Sequence, residues 1–114
     1  MEGALAQAGL DTADIDYINL HGTATPNNDS AEGHAVASLF GTRVAASSTK
    51  GVTGHTLGAA GALEISISAV ALAEGLLPGS VHTRKLDPSI PIDYVLASRG
   101  APLNRAMSNS FGFG

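Results

Sequence analysis

The sequence predicts an α/β fold with at least some parallel strand pairing. Short, β-prone, apolar stretches alternate with helical ones. The strand candidates are mostly apolar, as buried strands are, and one long helical stretch is apolar nearly all round, so that it needs cover on more than one side.

The elements follow in order. "EGALAQA", residues 2–8, reads as a helix stopped by Gly9. "DYINL", 16–20, is a buried strand. "NNDSAEGHAVASLFG", 27–41, opens on Asn and Asp cap candidates and closes on Gly41. In it Glu32 follows Asp29 by three residues, the spacing of a capping box with Asp as the cap. "RVAASS", 43–48, is a second strand. In "VTGHTLGAAGALEISISAVALAEG", 52–75, the side chains of Glu64, Ser66, Ser68 and Glu74 point in several directions on a helical wheel. No broad solvent face is left, and a core helix buried on all sides is expected. Gly58, Ala59, Ala60, Gly61 and Ala62 let its first turns approach neighbouring backbone. The Pro-rich "LPGSVHTRKLDPSIPIDYV" reads as mostly irregular, with "YVLAS" and "AMSNSFGF" as final strands. There is no internal repeat.

Composition narrows the function classes. The 114 residues make one domain at most, or part of one; they are 44% hydrophobic and 14% charged, which suits a buried α/β layer. A net charge of -4 leaves no basic footprint, so a nucleic-acid partner is not expected. Without cysteine there is neither a disulfide nor a thiolate metal site. Residues 57–74 come nearest to a membrane span, but Glu64 interrupts them, and no span is expected. The N-terminus lacks a signal-peptide pattern, and a cytoplasmic chain is expected. Because "NSFGFG" follows a strand directly, the chain is expected to be a piece of a larger protein or half of a composite unit.

Two histidines stand at places suited to chemistry. His21 sits where the strand "YINL" runs out, and ligands of open α/β sheets gather at the carboxyl ends of strands. Gly22 allows a tight turn there, and Thr23 and Thr25 offer hydroxyls to a polar substrate chain. His55 precedes a helix, whose positive end disfavours imidazolium and keeps the ring a neutral donor. Two neutral imidazoles at neighbouring strand ends would bind one developing oxyanion, that of an enolate or a tetrahedral intermediate. Taken alone, each histidine reads more readily as an ordinary loop residue than as a functional one. No H-E-x-x-H metal motif, phosphate loop, dinucleotide fingerprint or G-x-S-x-G elbow is present. His34 and His82 read as structural.

Three segments together carry a resemblance: "HGTATPNNDSAE" (21–32), "SSTKGVTGHTLGAAGALE" (47–64) and "NSFGFG" (109–114). In this order and spacing the chain resembles the C-terminal part of the β-ketoacyl-[acyl-carrier-protein] synthases of type I/II, polyketide ketosynthases included. The resemblance covers essentially the whole chain. It implies the C-terminal half of a thiolase-like fold, with layered helices, a mixed sheet and a buried central helix. Residues 1–114 would then be a β-ketoacyl synthase C-terminal domain, truncated at its end and lacking the N-terminal half that bears the nucleophile.

The implied reaction is a decarboxylative Claisen condensation of an acyl-enzyme thioester with malonyl-acyl carrier protein, in fatty acid or polyketide synthesis. By resemblance, His21 and His55 are the catalytic histidines that hydrogen-bond the malonyl thioester oxygen. Lys50 matches the active-site lysine, Glu32 the acidic residue paired with it, and Asp29 and Glu64 further acidic positions nearby. Thr23 and Thr25 match residues that bind the pantetheine arm, and Phe113 matches a gating phenylalanine. No metal and no separate cofactor is implied, since the substrates ride on the phosphopantetheine of acyl carrier protein. The implied partners are that carrier protein, the missing half and, for the full-length protein, a second copy of itself. Without cysteine the 114 residues are expected to be inactive alone. "TPNND" departs from the T-P-x-G-D form of housekeeping synthases and points toward a polyene or polyketide pathway. The alternatives are a non-catalytic partner resembling a chain-length factor, against which both histidines and Lys50 argue, and an isolated structural fragment.

Overall fold

A computed structural model describes residues 1–112. Four strands form a parallel sheet: β1 (Tyr17–Asn19), β2 (Ala45–Ser47), β4 (Asp93–Tyr94) and β6 (Ala106–Ser108), in the order β4-β2-β1-β6. Tyr17, Ile18 and Asn19 lie opposite Ala45, Ala46 and Ser47 on one side and Ala106, Met107 and Ser108 on the other. Among the described residues antiparallel pairing is confined to a separate two-stranded ladder, β3 (Leu76–Leu77) with β5 (Arg99–Gly100). Strands this short carry little periodicity, and β3 and β5 escaped sequence reading for that reason.

Alternation along the strands divides the core into two layers. Ile18 and Ala46 point toward the helices α1 (Glu2–Ala8) and α2 (Pro26–Phe40), joining Leu5, Ile15, Leu20, Val36, Phe40 and Val44. Tyr17 and Ala45 point the other way, onto Leu77 and Val95. All three residues of β1 are buried, and so are all three of β2, as their apolar sequences predict.

The start of α2 differs from expectation. Thr25 occupies the cap position and Pro26 the first helical position, so Asp29 lies inside the first turn and caps nothing. Proline's fixed φ suits that place, where its missing N–H costs no hydrogen bond. Glu32 then turns away from the helix end, toward the loop after β1.

After the short α3 (Lys50–Thr53) the chain makes a 3-10 turn at Leu57–Ala59 and enters α4 (Ala60–Glu74), which packs against β6 and β3. Ala60, Glu64, Ser68 and Ala71 form its buried stripe, one helical turn apart. Burial on all sides is therefore met on one side within this chain. Ile65 and Val70 are each 62% exposed on the other faces. Ser66 and Ser68 return their hydroxyls to the helix's own carbonyls, Ala62 and Glu64, at 2.8 Å each, so neither needs solvent. By length and apolar composition alone Leu57–Glu74 would cross a membrane, with 18 residues at a mean hydropathy of 1.4. Here it lies along the sheet with the carboxylate of Glu64 buried inward.

Candidate active site

The carboxyl ends of β1, β2 and β6 meet at one edge of the sheet and deliver His21, Ser48 to Lys50, and Asn109 to Phe111. Beyond β1, the Leu20 amide still donates to the Ser47 carbonyl at 2.8 Å, so the loop leaves the sheet only at His21. Gly22 turns with φ +39°, and a Cβ there would lie 2.5 Å from Ser48 Cβ, closer than any side chain tolerates. Ser48 fastens the turn by donating its hydroxyl to the Gly22 carbonyl at 2.8 Å.

Glu32 holds the same loop from α2. One carboxylate oxygen accepts the His21 amide and the other the Gly22 amide, at 2.8 Å each. The side-chain amide of Asn109 donates to the first oxygen at 3.0 Å, and that of Asn28 to the second at 3.5 Å. Asn28 also reaches Asp29 Oδ1 at 3.3 Å, which ties Asp29 to the edge of this network. Glu32 is 4% exposed, so its charge is compensated by oriented N–H donors rather than by water.

Lys50 is not the partner of Glu32. Its ammonium forms an ion pair with Glu64 of α4, and both side chains are buried. The expected Glu32–Lys50 pair is not formed, because the hydrogen-bond capacity of Glu32 is taken up by the amides. Asn19 Oδ1, Glu64 Oε2 and Ser108 Oγ are buried without a hydrogen-bond partner among the described residues.

The two histidines meet. The rings of His21 and His55 lie edge to face with centroids 5.3 Å apart, and the Phe111 ring lies equally far from His21. His21 is buried, whereas His55 is exposed within this chain, on the connection between α3 and α4. The Phe111 amide donates to His21 Nδ1 at 3.3 Å. A nitrogen that accepts cannot carry the proton, so neutral His21 holds it on Nε2. Burial holds the His21 pKa below its ordinary 6.5, the Lys50 ammonium and His55 press the same way, and Glu32 and Glu64 oppose them. The result is a neutral imidazole with a fixed donor, next to a second imidazole and near a buried ammonium. Such an array stabilises negative charge developing on an oxygen, such as that of an enolate.

The remaining expected residues lie further out. The hydroxyls of Thr23 and Thr25 bond to each other at 2.9 Å at the edge of the loop. Phe113 lies outside the described residues. His34 is exposed, with Nδ1 2.7 Å from the Ser30 carbonyl. A cavity of about 510 Å³ lies behind the turn, between α2 and the 81–92 loop, and is lined by Gly22, Ala24, Asp29, Gly33, Ile90 and Tyr94 among others. Neither His21, His55 nor Lys50 lines it, so this cavity is not the histidine site. Sequence reading missed Asn109, Asn28, Ser48 and the Phe111 amide.

The fold and site define an α/β domain that presents two adjacent imidazoles and a buried lysine at the carboxyl edge of a parallel sheet. Residues 1–84 match the family model described as "Beta-ketoacyl synthase, C-terminal domain". The chain belongs to that family. It is 42% identical over 118 aligned positions to 3-oxoacyl-[acyl-carrier-protein] synthase 2 of Coxiella burnetii, covering 100% of this chain and 28% of the relative. A β-ketoacyl synthase from Burkholderia phymatum superposes with a TM-score of 0.95 at 40% identity, over 100% of this chain and 28% of that one. A type II polyketide ketosynthase assembly solved with its acyl-carrier protein, AntDE:AntF, contains a chain that matches with a TM-score of 0.88 at 26% identity, over 94% of this chain and 27% of that one. The chain thus spans somewhat more than a quarter of the length of these relatives.

Proposed function

We propose that the chain supplies the histidine-bearing part of a 3-oxoacyl-[acyl-carrier-protein] synthase. This acyltransferase joins an acyl group held as a cysteine thioester to malonyl-acyl carrier protein with loss of carbon dioxide. The observation that carries the reading is the contact between His21 and His55, with His21 Nδ1 occupied by a backbone amide. As the malonyl group loses carbon dioxide, its thioester oxygen gains enolate character. His21 Nε2–H and the His55 ring would each donate to it, while the Lys50 ammonium adds favourable potential. The enolate carbon then attacks the acyl thioester, the tetrahedral intermediate collapses, and the cysteine thiolate leaves. That cysteine comes from a part of the protein other than these 114 residues, which contain none, so the chain alone is inactive in condensation.

Carrier-bound substrates need no separate cofactor in this scheme. Thr23 and Thr25 stand at the edge of the His21 loop, where a pantetheine arm would pass, and Phe113 is assigned the gate on the arm's route. Asp29, Glu32 and Glu64 support the site through their hydrogen-bonded partners or the ion pair. Acyl carrier protein is the partner, the complete protein is a homodimer, and the compartment is the cytoplasm. The test is condensation of an acyl-primed enzyme with malonyl-acyl carrier protein, with the cysteine-bearing half present. Formation of 3-oxoacyl product supports the reading. An inert complex that still binds the carrier protein would replace it with that of a non-catalytic partner.

A further inference from the structure

We propose that Asn109 is a positioning residue for His21, acting through Glu32 and through the segment that carries the Phe111 amide. Asn109 is 4% exposed at the end of β6, and its own amide extends the ladder to the Asn19 carbonyl at 2.9 Å. Its side-chain amide donates at 3.0 Å to Glu32 Oε1, the oxygen that also accepts the His21 amide at 2.8 Å. Two residues further on, the Phe111 amide donates to His21 Nδ1. One short segment therefore holds His21 at its backbone and at its ring.

The consequence is a choice of tautomer. With an N–H aimed at Nδ1, the ring presents Nε2–H; with that donor displaced, both tautomers are populated, and the Nδ1–H form offers a lone pair where a donor is needed. Without the Asn109 amide, Glu32 Oε1 loses one of its two donors and the 109–111 segment loses its side-chain anchor. Lys50, His55, Glu32 and Glu64, the charged and titratable groups that act on His21, all remain in place in an Asn109→Ala variant. A changed ring state would therefore report position and not charge.

The experiment uses ¹⁵N-histidine-labelled protein with its cysteine-bearing half present, with the His21 signals identified by their loss in His21→Gln. The unmodified protein shows the Nε2–H pattern. Asn109→Ala shows a tautomer mixture and a titration midpoint moved up toward that of a solvated imidazole. Malonyl decarboxylation then loses about 10- to 100-fold in kcat, with KM within about twofold. Should that variant fail to fold, Asn109→Leu keeps the approximate shape, removes the donor without adding a charge, and is expected to give the same spectral change. A folded variant with an unchanged His21 tautomer and titration, and only a lower melting temperature, overturns the proposal. The turnover arm rests on the synthase reading and the spectral arm does not. Absent decarboxylation in the unmodified protein, beside an Nε2–H pattern that Asn109→Ala destroys, would refute the function and leave the role of Asn109 standing.

Discussion

Glu32 accepts the backbone amides of His21 and Gly22 at 2.8 Å each, so a residue on one helix fixes the loop that follows the neighbouring strand. Carboxylate–amide bonds of this kind are among the stronger ones in proteins, about 1.5–3 kcal/mol each. Glu32→Gln keeps the shape but turns one acceptor into a donor facing an N–H. We expect a loss of about 1–3 kcal/mol in denaturant unfolding. A stability unchanged within error would mean that the loop is held by other contacts.

Lys50 and Glu64 form a buried pair between α3 and α4. Removing one member leaves a charge without compensation, at a cost of about 3–5 kcal/mol, whereas removing both for apolar residues is often close to neutral. Lys50→Met and Glu64→Leu should therefore each destabilise strongly, and the double variant should recover most of the loss. Additive losses in the cycle would show that the two side chains do not interact.

His21 gives a pH signature. Its folded pKa lies below the 6.5 of a free imidazole, so between that lower value and 6.5 the unfolded chain binds a proton that the native chain does not. Stability must therefore fall as pH drops through 6.5, and replacing His21 with Gln should flatten that part of the curve. Urea midpoints measured from pH 8 to 5 on the two proteins decide the matter. A larger acid loss in the variant would contradict a lowered pKa.

The outer faces of α4 expose Ile65 and Val70, each 62% accessible in this chain. If the cysteine-bearing half packs there, Ile65→Asp buries an unpaired carboxylate in the complete protein, while in the isolated chain it stays near ±0.5 kcal/mol. The expected outcome is a loss of several kcal/mol in the complete protein only. Equal, small effects in both would mean that this face stays open.

Much of this was legible in the sequence, for identifiable reasons. The strands at 16–20 and 43–48 announced themselves by apolar, β-prone runs, and His21 by its place after one of them. The long helix was legible in extent, but a wheel apolar all round cannot say which stripe faces this chain and which faces something else. The cap of α2 was misread although Pro26 marked the first turn, because the Asp29–Glu32 spacing offered a second, equally local pattern. The partners of Glu32 and Lys50 were not legible at all. They are set by how β1, β6, α2 and α4 converge, with Asn109 77 positions away from Glu32, and no local periodicity encodes that.

In the proposed reaction His21 and His55 together stabilise the enolate. The most direct measurement is carbon dioxide release from malonyl-acyl carrier protein by His21→Ala and His55→Ala, with acylation of the cysteine followed separately in the same protein. Each substitution is expected to lower decarboxylation by about 10²- to 10³-fold, as removal of an oxyanion donor does, while acylation persists. Decarboxylation at the unmodified rate in either variant would contradict it.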